Sequence, residues 1–174
     1  PLGLLLALLV KLSDGGPVFY TQIRIGRLGQ PFPIRKFRSM VVNADAMKDK
    51  LLAQNEQTGP VFKMKHDPRI TRIGRFIRKF SIDELPQLIN VLRGDMSVVG
   101  PRPPLAPEVA KYEPWQLRRL SVRPGLTCVW QVYGRNRVSF KRWVEMDLFY
   151  IDNWSLWMDI KLIAHTFGVV IKGT

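Results

Sequence analysis

Cysteine is almost absent. The lone Cys128 excludes an internal disulfide and any metal site built from several thiolates, and it suits a reducing, cytosol-facing compartment. Two histidines, His66 and His165, leave too little for a histidine-based zinc centre. Acidic residues are also scarce, with 14 Asp plus Glu against 27 Lys plus Arg, a net charge of +13. Such an excess points to a polyanionic partner, whether nucleic acid, anionic lipid or a phosphorylated substrate. No strand–GxGxxG–helix unit occurs, which excludes a Rossmann fold. There is no internal repeat, low-complexity tract or linker. The chain of 174 residues is long enough for one domain with a real core and too short for two ordinary ones.

The opening segment, residues 1–12 (PLGLLLALLVKL), is apolar all round and so is not a surface helix. It is shorter than the roughly 20 residues that span a bilayer, and it has no signal-peptide leader or cleavage site. The missing initiator Met predicts that Pro1 lies inside a longer protein. A buried core helix, the end of a transmembrane helix and one arm of a re-entrant hairpin all remain open.

Between Gln22 and Ser39 stand Arg24, Arg27, Arg35, Lys36 and Arg38 with no acid. Gly26, Gly29, Pro31 and Pro33 predict turns and extended pieces, and FPIRKFRSM reads as a strand. Lys36, Arg38 and Ser39 are candidates to hold phosphate oxygens, for which an arginine fork is well shaped; a solvated basic face near anionic lipid is the alternative. A helix with a largely polar face is predicted for 41–56. Arg72, Arg75, Arg78 and Lys79 recur at helical spacing and predict a basic amphipathic helix running into Ser81. His66 reads as a loop residue.

The stretch with the most chemistry is residues 80–104, FSIDELPQLINVLRGDMSVVGPRPP. Ser81-x-x-Glu84 fits a capping box, with the apolar run Leu85, Leu88, Ile89, Val91, Leu92 continuing the helix to Gly94; Pro86 blurs the start, falling just inside the helix if Ser81 is the cap and at the favoured first position if Leu85 is. Asp83 and Glu84 then lie in a first turn, where backbone N–H groups favour negative charge. As neighbours they point about 100° apart on a helix. They therefore cannot flank a bond symmetrically, and a division of labour suits them, one attacking and the other holding a metal. Pro101, Pro103 and Pro104 make a rigid loop that presents Arg102 in a nearly fixed direction. Downstream, 107–122 predicts a helix and a turn, and LTCVWQVYG predicts a strand with Cys128 as a buried, inert thiol. Two final helices are predicted at 139–152 and 155–171, with Trp143, Phe149, Tyr150, Trp154 and Trp157 around their junction; core packing and a membrane interface each suit about half of these side chains.

The run DELPQLINVLRGDMSVVGPRP resembles the core of the bacterial sugar transferases, the monotopic phosphoglycosyl transferases. PVFYTQIRIGRLGQPFPIRKFRSM, DPRITRIGRFIRKFS and RPGLTCVWQVYGR extend the resemblance over residues 15–165, with Cys128 standing where the pattern commonly has Gly. The resemblance implies transfer of a sugar 1-phosphate from a UDP-sugar to polyprenyl phosphate. Asp83 would be the nucleophile and Glu84 a ligand of Mg²⁺, with Lys36, Arg38, Ser39, Arg102 and Arg123 binding substrate. It also implies a re-entrant helix broken at a Pro, which Pro1 could supply. On this reading the fold class is α+β, mostly helical with a few short strands in one membrane-associated domain. Residues 1–12 are the second hairpin arm, and 13–174 are the catalytic domain. The setting is the cytoplasmic face of a bacterial inner membrane, with membrane lipids as partners, no nucleic acid, and a homodimer left open. A nucleic-acid-binding module would explain the +13 charge but neither the apolar start nor the Trp-rich end, and no base-stacking pattern is evident. An inactive membrane scaffold is disfavoured by the intact Asp-Glu pair.

Overall fold

A computed structural model describes residues 1–56, 59–62, 64–134 and 138–173, with side chains 2 and 172 left aside. Arg135, which ends the last of the family-like stretches, lies outside the described residues. The molecule is α+β, as expected: helices around a two-stranded antiparallel hairpin and a short parallel strand pair.

Helix α1 (Leu2–Asp14) stops at Gly15, whose φ of 74° gives the left-handed turn in which its N–H reaches the Lys11 carbonyl. One stripe of α1 is buried: Leu6 and Val10, one turn apart, pack on Phe37 and Ile77. Leu4, Leu5, Leu8, Leu9 and Leu12 remain exposed. Strands β1 (Phe19–Ile25) and β2 (Pro31–Phe37) pair so that Tyr20 stands opposite Lys36, Gln22 opposite Ile34 and Arg24 opposite Phe32. Period-two alternation therefore puts Tyr20, Gln22, Arg24, Ile34 and Lys36 on one face. Helix α2 (Ala44–Leu51) realises only the centre of the polar helix predicted for 41–56, followed by a 3₁₀ turn at Leu52–Gln54.

Helix α3 (Arg72–Lys79) is the expected basic helix. Thr71 caps it by accepting the Gly74 N–H, and Arg72, Arg75, Arg78 and Lys79 lie on the exposed side. Its buried face comes extremely close to the end of β2, because a Cβ on Gly74 would sit 1.8 Å from the Ser39 carbonyl oxygen. The Thr71 N–H donates to that same oxygen at 3.1 Å.

The predicted capping box does not form. Ser81 has φ 53°, ψ 20°, a left-handed conformation, and its side chain caps nothing. The chain then runs as a 3₁₀ helix over Ile82–Gln87 before α4 (Leu88–Arg93) begins. Pro86 explains the change: it has no N–H to give, and its ring would clash with the carbonyl four residues back in an α-helix. A tighter 3₁₀ turn avoids both problems. The apolar run is not a core face either, since Leu85, Leu88, Ile89 and Leu92 are exposed.

Strand β3 (Ser97–Val99) pairs in parallel with β4 (Gly125–Thr127). Gly100 and Gly125 interlock so tightly that a Cβ on Gly125 would lie 2.1 Å from the Gly100 nitrogen. Between the strands come two single-turn helices, α5 (Ala106–Val109) and α6 (Pro114–Leu117), each with Pro in its first turn. The strand predicted over LTCVWQVYG ends after Thr127, and helix α7 (Val129–Tyr133) follows. Pro101 ends β3, so the longer strand has no partner, and Trp130 gains more by stacking on Trp143 at 4.1 Å between ring centres. Cys128 is buried as expected, and burial pushes its thiol up. Helices α8 (Phe140–Asp152) and α9 (Leu156–Lys172) agree with prediction and carry Ser caps at Ser139 and Ser155. Trp143 and Tyr150 enter the core, whereas Phe149, Trp154 and Trp157 are exposed.

The Gly74 contact yields a direct test. Gly74→Ala must push apart two backbones rather than a flexible side chain, and should cost at least about 3 kcal/mol, the upper part of the overpacking range. Gly168→Ala, inside α9 with nothing within 4 Å, should instead be neutral or stabilising by up to about 1 kcal/mol. Denaturant midpoints of the two variants check the contrast.

Candidate active site

The polar face of the β1–β2 hairpin, the Ile82–Gln87 turn and the loop 101–104 enclose a cleft of about 320 Å³. Asp83 and Glu84 enter from the 3₁₀ turn, where three residues complete a turn and neighbours diverge by about 120°. The consequence is a split. Asp83 lines the cleft, while Glu84 lines a smaller space of about 10 Å³ behind it, shared with Gln87, Gly125 and Gln131. Arg24, Lys36 and Arg102 border both.

Lys36 Nζ donates to Glu84 Oε1, and Arg102 Nη1 lies 3.9 Å from that same oxygen. Burial costs both members of the pair: it pushes Lys36 below its ordinary range even beside Glu84. Burial alone would raise Glu84, but Lys36 and Arg102 outweigh it and hold the carboxyl at about 2. Asp83, 7% exposed, differs. Burial raises its carboxyl to about 6, against the pull of Lys36 and with help from the adjacent Glu84 charge. Two neighbouring carboxylates thus acquire unlike acidities: one stays ionised throughout, the other titrates near neutrality.

The remaining candidates separate. Arg38 and Ser39 line the cleft. The Arg38 fork, however, is committed to the Asp14 carboxylate, its Nε donates to the Pro17 carbonyl and Nη1 also reaches the Met40 carbonyl. Those hydrogen bonds hold Asp14 below the usual carboxylate range. Arg38 is thereby a strut between α1 and β2. Arg123 is exposed and does not border the cleft.

The loop 101–104 is stitched on both sides, as its three prolines suggest. Ile25 N–H donates to the Pro104 carbonyl at 2.9 Å, Arg24 Nη1 to the Pro103 carbonyl at 3.1 Å, and Gly125 N–H to the Pro101 carbonyl at 2.9 Å. Arg119 Nη2 reaches the Arg102 carbonyl at 3.3 Å. Arg119 is itself paired with Asp147, both side chains 1% exposed, and takes a hydrogen bond partner in Tyr112 Oη at 2.8 Å. Burial pushes Asp147 to about 6 against Arg119. Removing one partner of such a pair strands the other charge in the core.

Sequence reasoning missed Arg24 as a site residue, together with Arg78, the Arg119–Asp147 pair and the Tyr20–Asp45 contact. Arg24 is half-buried, and loss of solvent lowers its guanidinium to about 10 with Arg102 adding repulsion; its Nε has no hydrogen-bond partner among the described residues. Arg24, Gln22 and Tyr20 come onto the face of Lys36 only through the hairpin register. Among the described residues no group of three or more His, Cys, Asp or Glu gathers as a metal site. Half-buried cations around a titratable, water-poor carboxylate are equipment suited to charge neutralisation and nucleophilic attack at phosphorus.

The model of a family described as bacterial sugar transferase matches residues 1–173. A galactosyl transferase, CpsE, of Streptococcus agalactiae is 54% identical over 93% of this chain and 36% of its own length. An undecaprenyl-phosphate galactose phosphotransferase of Salmonella typhimurium is 48% identical over 91% of this chain and 34% of its own. The exopolysaccharide production protein ExoY of Rhizobium meliloti is 45% identical over 98% of this chain and 77% of its own. The chain thus spans about a third of the first two relatives and most of the third. With the whole described chain matched and the Asp83–Glu84 turn, the basic strand face and the stitched Pro-Arg-Pro loop all in one cleft, the chain belongs to the bacterial sugar transferase family.

Proposed function

We propose that the chain is a phosphoglycosyl transferase that moves a sugar 1-phosphate from a UDP-sugar to polyprenyl phosphate, a first membrane step of polysaccharide or glycoconjugate assembly. The observation that carries this reading is the buried Asp83 carboxylate facing a cleft bordered by Arg24, Lys36, Arg78 and Arg102. The names of the relatives, among them an undecaprenyl-phosphate galactose phosphotransferase and an N-acetylgalactosaminephosphotransferase acting on undecaprenyl phosphate, support it.

Asp83 in its ionised form attacks the sugar-bearing phosphorus; the bond to UMP breaks and UMP leaves with the electron pair. The resulting phospho-sugar aspartyl ester is attacked at the same phosphorus by an oxygen of polyprenyl phosphate, which returns the carboxylate and gives polyprenyl-diphosphate-sugar. One phosphoric anhydride replaces another, so the net free-energy change is small. The barrier lies in bringing an anion to an anionic phosphorus, and Lys36, Arg24 and Arg102 lower it by fixed positive charge in a dry site. Mg²⁺ is commonly held by one or two carboxylates together with substrate phosphates. Glu84, a carboxyl held at about 2, fits that donor set. When bound, the ion would neutralise phosphate charge.

The active site faces the cytoplasm beside the headgroups of a bacterial inner membrane. Exposed Leu4, Leu5, Leu8, Leu9 and Leu12 on α1, and Leu85, Leu88, Ile89 and Leu92 beside the dyad, offer apolar surface there. Among the described residues no helix is long and apolar enough to cross a membrane. Residues 1–12 then serve as the returning arm of a re-entrant hairpin and 13–174 as the catalytic domain, with Arg72, Arg75 and Lys79 toward anionic lipid at roughly 1 kcal/mol each.

Membranes bearing the protein, incubated with UDP-sugars one at a time, should release UMP; polyprenyl phosphate should sustain release beyond one equivalent. Asp83→Asn should abolish both turnover and a trapped phospho-sugar adduct while leaving the melting temperature close to that of the parent. Near-normal turnover in that variant would overturn the assignment.

The acidities set a pH profile. Asp83 must be ionised to attack and titrates at about 6, so single-turnover UMP release should fall as pH drops through 6; Glu84, at about 2, adds no second limb above pH 4. Glu84→Gln removes a neighbouring negative charge and should move the midpoint to lower pH while weakening Mg²⁺ dependence. Stopped-time assays from pH 4.5 to 8 would measure both.

A further inference from the structure

The cleft is chemically lopsided. Its Asp83 end carries Lys36, Arg24 and Arg102, suited to a diphosphate. The lining also includes the carboxylates Asp45 and Glu108, which no phosphate would approach willingly. Gln22 Nε2 donates to Tyr20 Oη at 3.1 Å, and Tyr20 Oη donates to Asp45 Oδ2 at 3.3 Å. Tyr20 stands opposite Lys36 in the hairpin register, so this relay begins one cross-strand neighbour away from the dyad's own cation.

Asp45 is exposed, but its backbone is held in place. It sits in the first turn of α2, whose start is clamped from behind: Arg69, 5% exposed, donates to the Ala44 carbonyl at 3.3 Å and is itself gripped by Asp67 at 2.7 Å. The Val41 N–H donates to the Arg69 carbonyl at 2.9 Å, closing the clamp. Yet no ion pair to Asp45 occurs among the described residues, although Lys48 and Arg69 border the same cleft. An ionised carboxylate only accepts hydrogen bonds, through two oxygens. In an anion-binding cleft, the neutral donors that satisfy two such oxygens together are the adjacent hydroxyls of a sugar ring.

We infer that Asp45, oriented by the Gln22–Tyr20 relay, is a specificity residue that accepts hydrogen bonds from a vicinal diol of the donor nucleotide-sugar, while its charge turns the diphosphate toward Asp83. The inference rests on the transferase reading above. The diol belongs either to the ribose or to the sugar being transferred, and the two sources are separable.

The experiment measures binding to the full chain in detergent, on the Asp83→Asn background so that turnover does not intervene. UDP-galactose, UMP and inorganic diphosphate are titrated against the background protein and against it with Asp45→Ala, Asp45→Asn or Tyr20→Phe added. Loss of two charge-assisted hydrogen bonds should weaken UDP-galactose about ten- to a hundredfold in Asp45→Ala, with a smaller loss in Tyr20→Phe. Inorganic diphosphate should bind no more weakly, because removing a negative charge takes nothing from it. If UMP weakens in parallel, the diol is the ribose; if UMP is unchanged, it is that of the transferred sugar. Donor affinity within twofold of the background in both Asp45 variants would overturn the inference while leaving the transferase reading intact. If UDP-galactose and UMP both fail to bind the background protein, and the parent releases no UMP from any UDP-sugar, the transferase reading fails and this inference falls with it.

Discussion

Everything in the site depends on the ion pair between Lys36 and Glu84. It joins the open end of a β-hairpin to a 3₁₀ turn 48 residues away, in a place where burial penalises each charge separately. Attraction in such surroundings offsets the cost only when geometry is good and the partners are held there. The fold supplies the holding. Lys36 lies one residue from Phe37, which is locked under α1, and Glu84 follows a left-handed Ser81 that turns the chain directly out of α3. The same pair sets the chemistry of Asp83. With Glu84 fixed in the charged state, the buried neighbour feels both a missing solvent and a nearby anion, and its acidity moves toward neutral pH. A structural pairing and the shifted acidity of the neighbouring carboxyl are thus one arrangement seen from two residues.

Much of this was legible in the sequence where the physics is local. Asp83, Glu84, Lys36 and Arg102 do converge, and the three prolines around Arg102 do give a fixed loop. The basic spacing of α3 and the boundaries of α8 and α9 could be read from periodicity, because long periodic segments with Ser caps have little competition. The failures came where a partner decides. Ser81 and Glu84 have capping-box spacing, but Pro86 forbids the α-helix that a capping box would start. LTCVWQVYG has strand-like composition, yet strand length is set by β3, which Pro101 stops after three residues. The apolar run after Glu84 resembles a core face and is instead exposed.

The missed site residues have a common cause. Arg24 matters because the hairpin register puts it on the face of Lys36, and Arg119 because a helix almost thirty residues later brings Asp147 to it. Register and long-range pairing are properties of the folded chain, and a basic segment with five cations gives no reason to select one. Arg38 illustrates the converse. Its chemistry suited a phosphate, but Asp14 claimed the fork first. Arg123 was proposed with the loop that follows it, and its side chain faces away from the cleft into solvent.

The Asp14–Arg38 strut has a mechanical meaning. Helix α1 is fastened at two points, by Leu6 and Val10 along its buried stripe and by Asp14 at its end. Arg38 follows directly on the end of β2, two residues from Lys36. A rigid rod pinned in this way is a lever arm: a change in its tilt is delivered to the strand that carries the dyad's cation, with no flexible segment between to absorb it. The angle at which α1 rests is therefore coupled to the geometry of the cleft, so whatever packs around α1 forms part of the mechanical frame of the candidate active site.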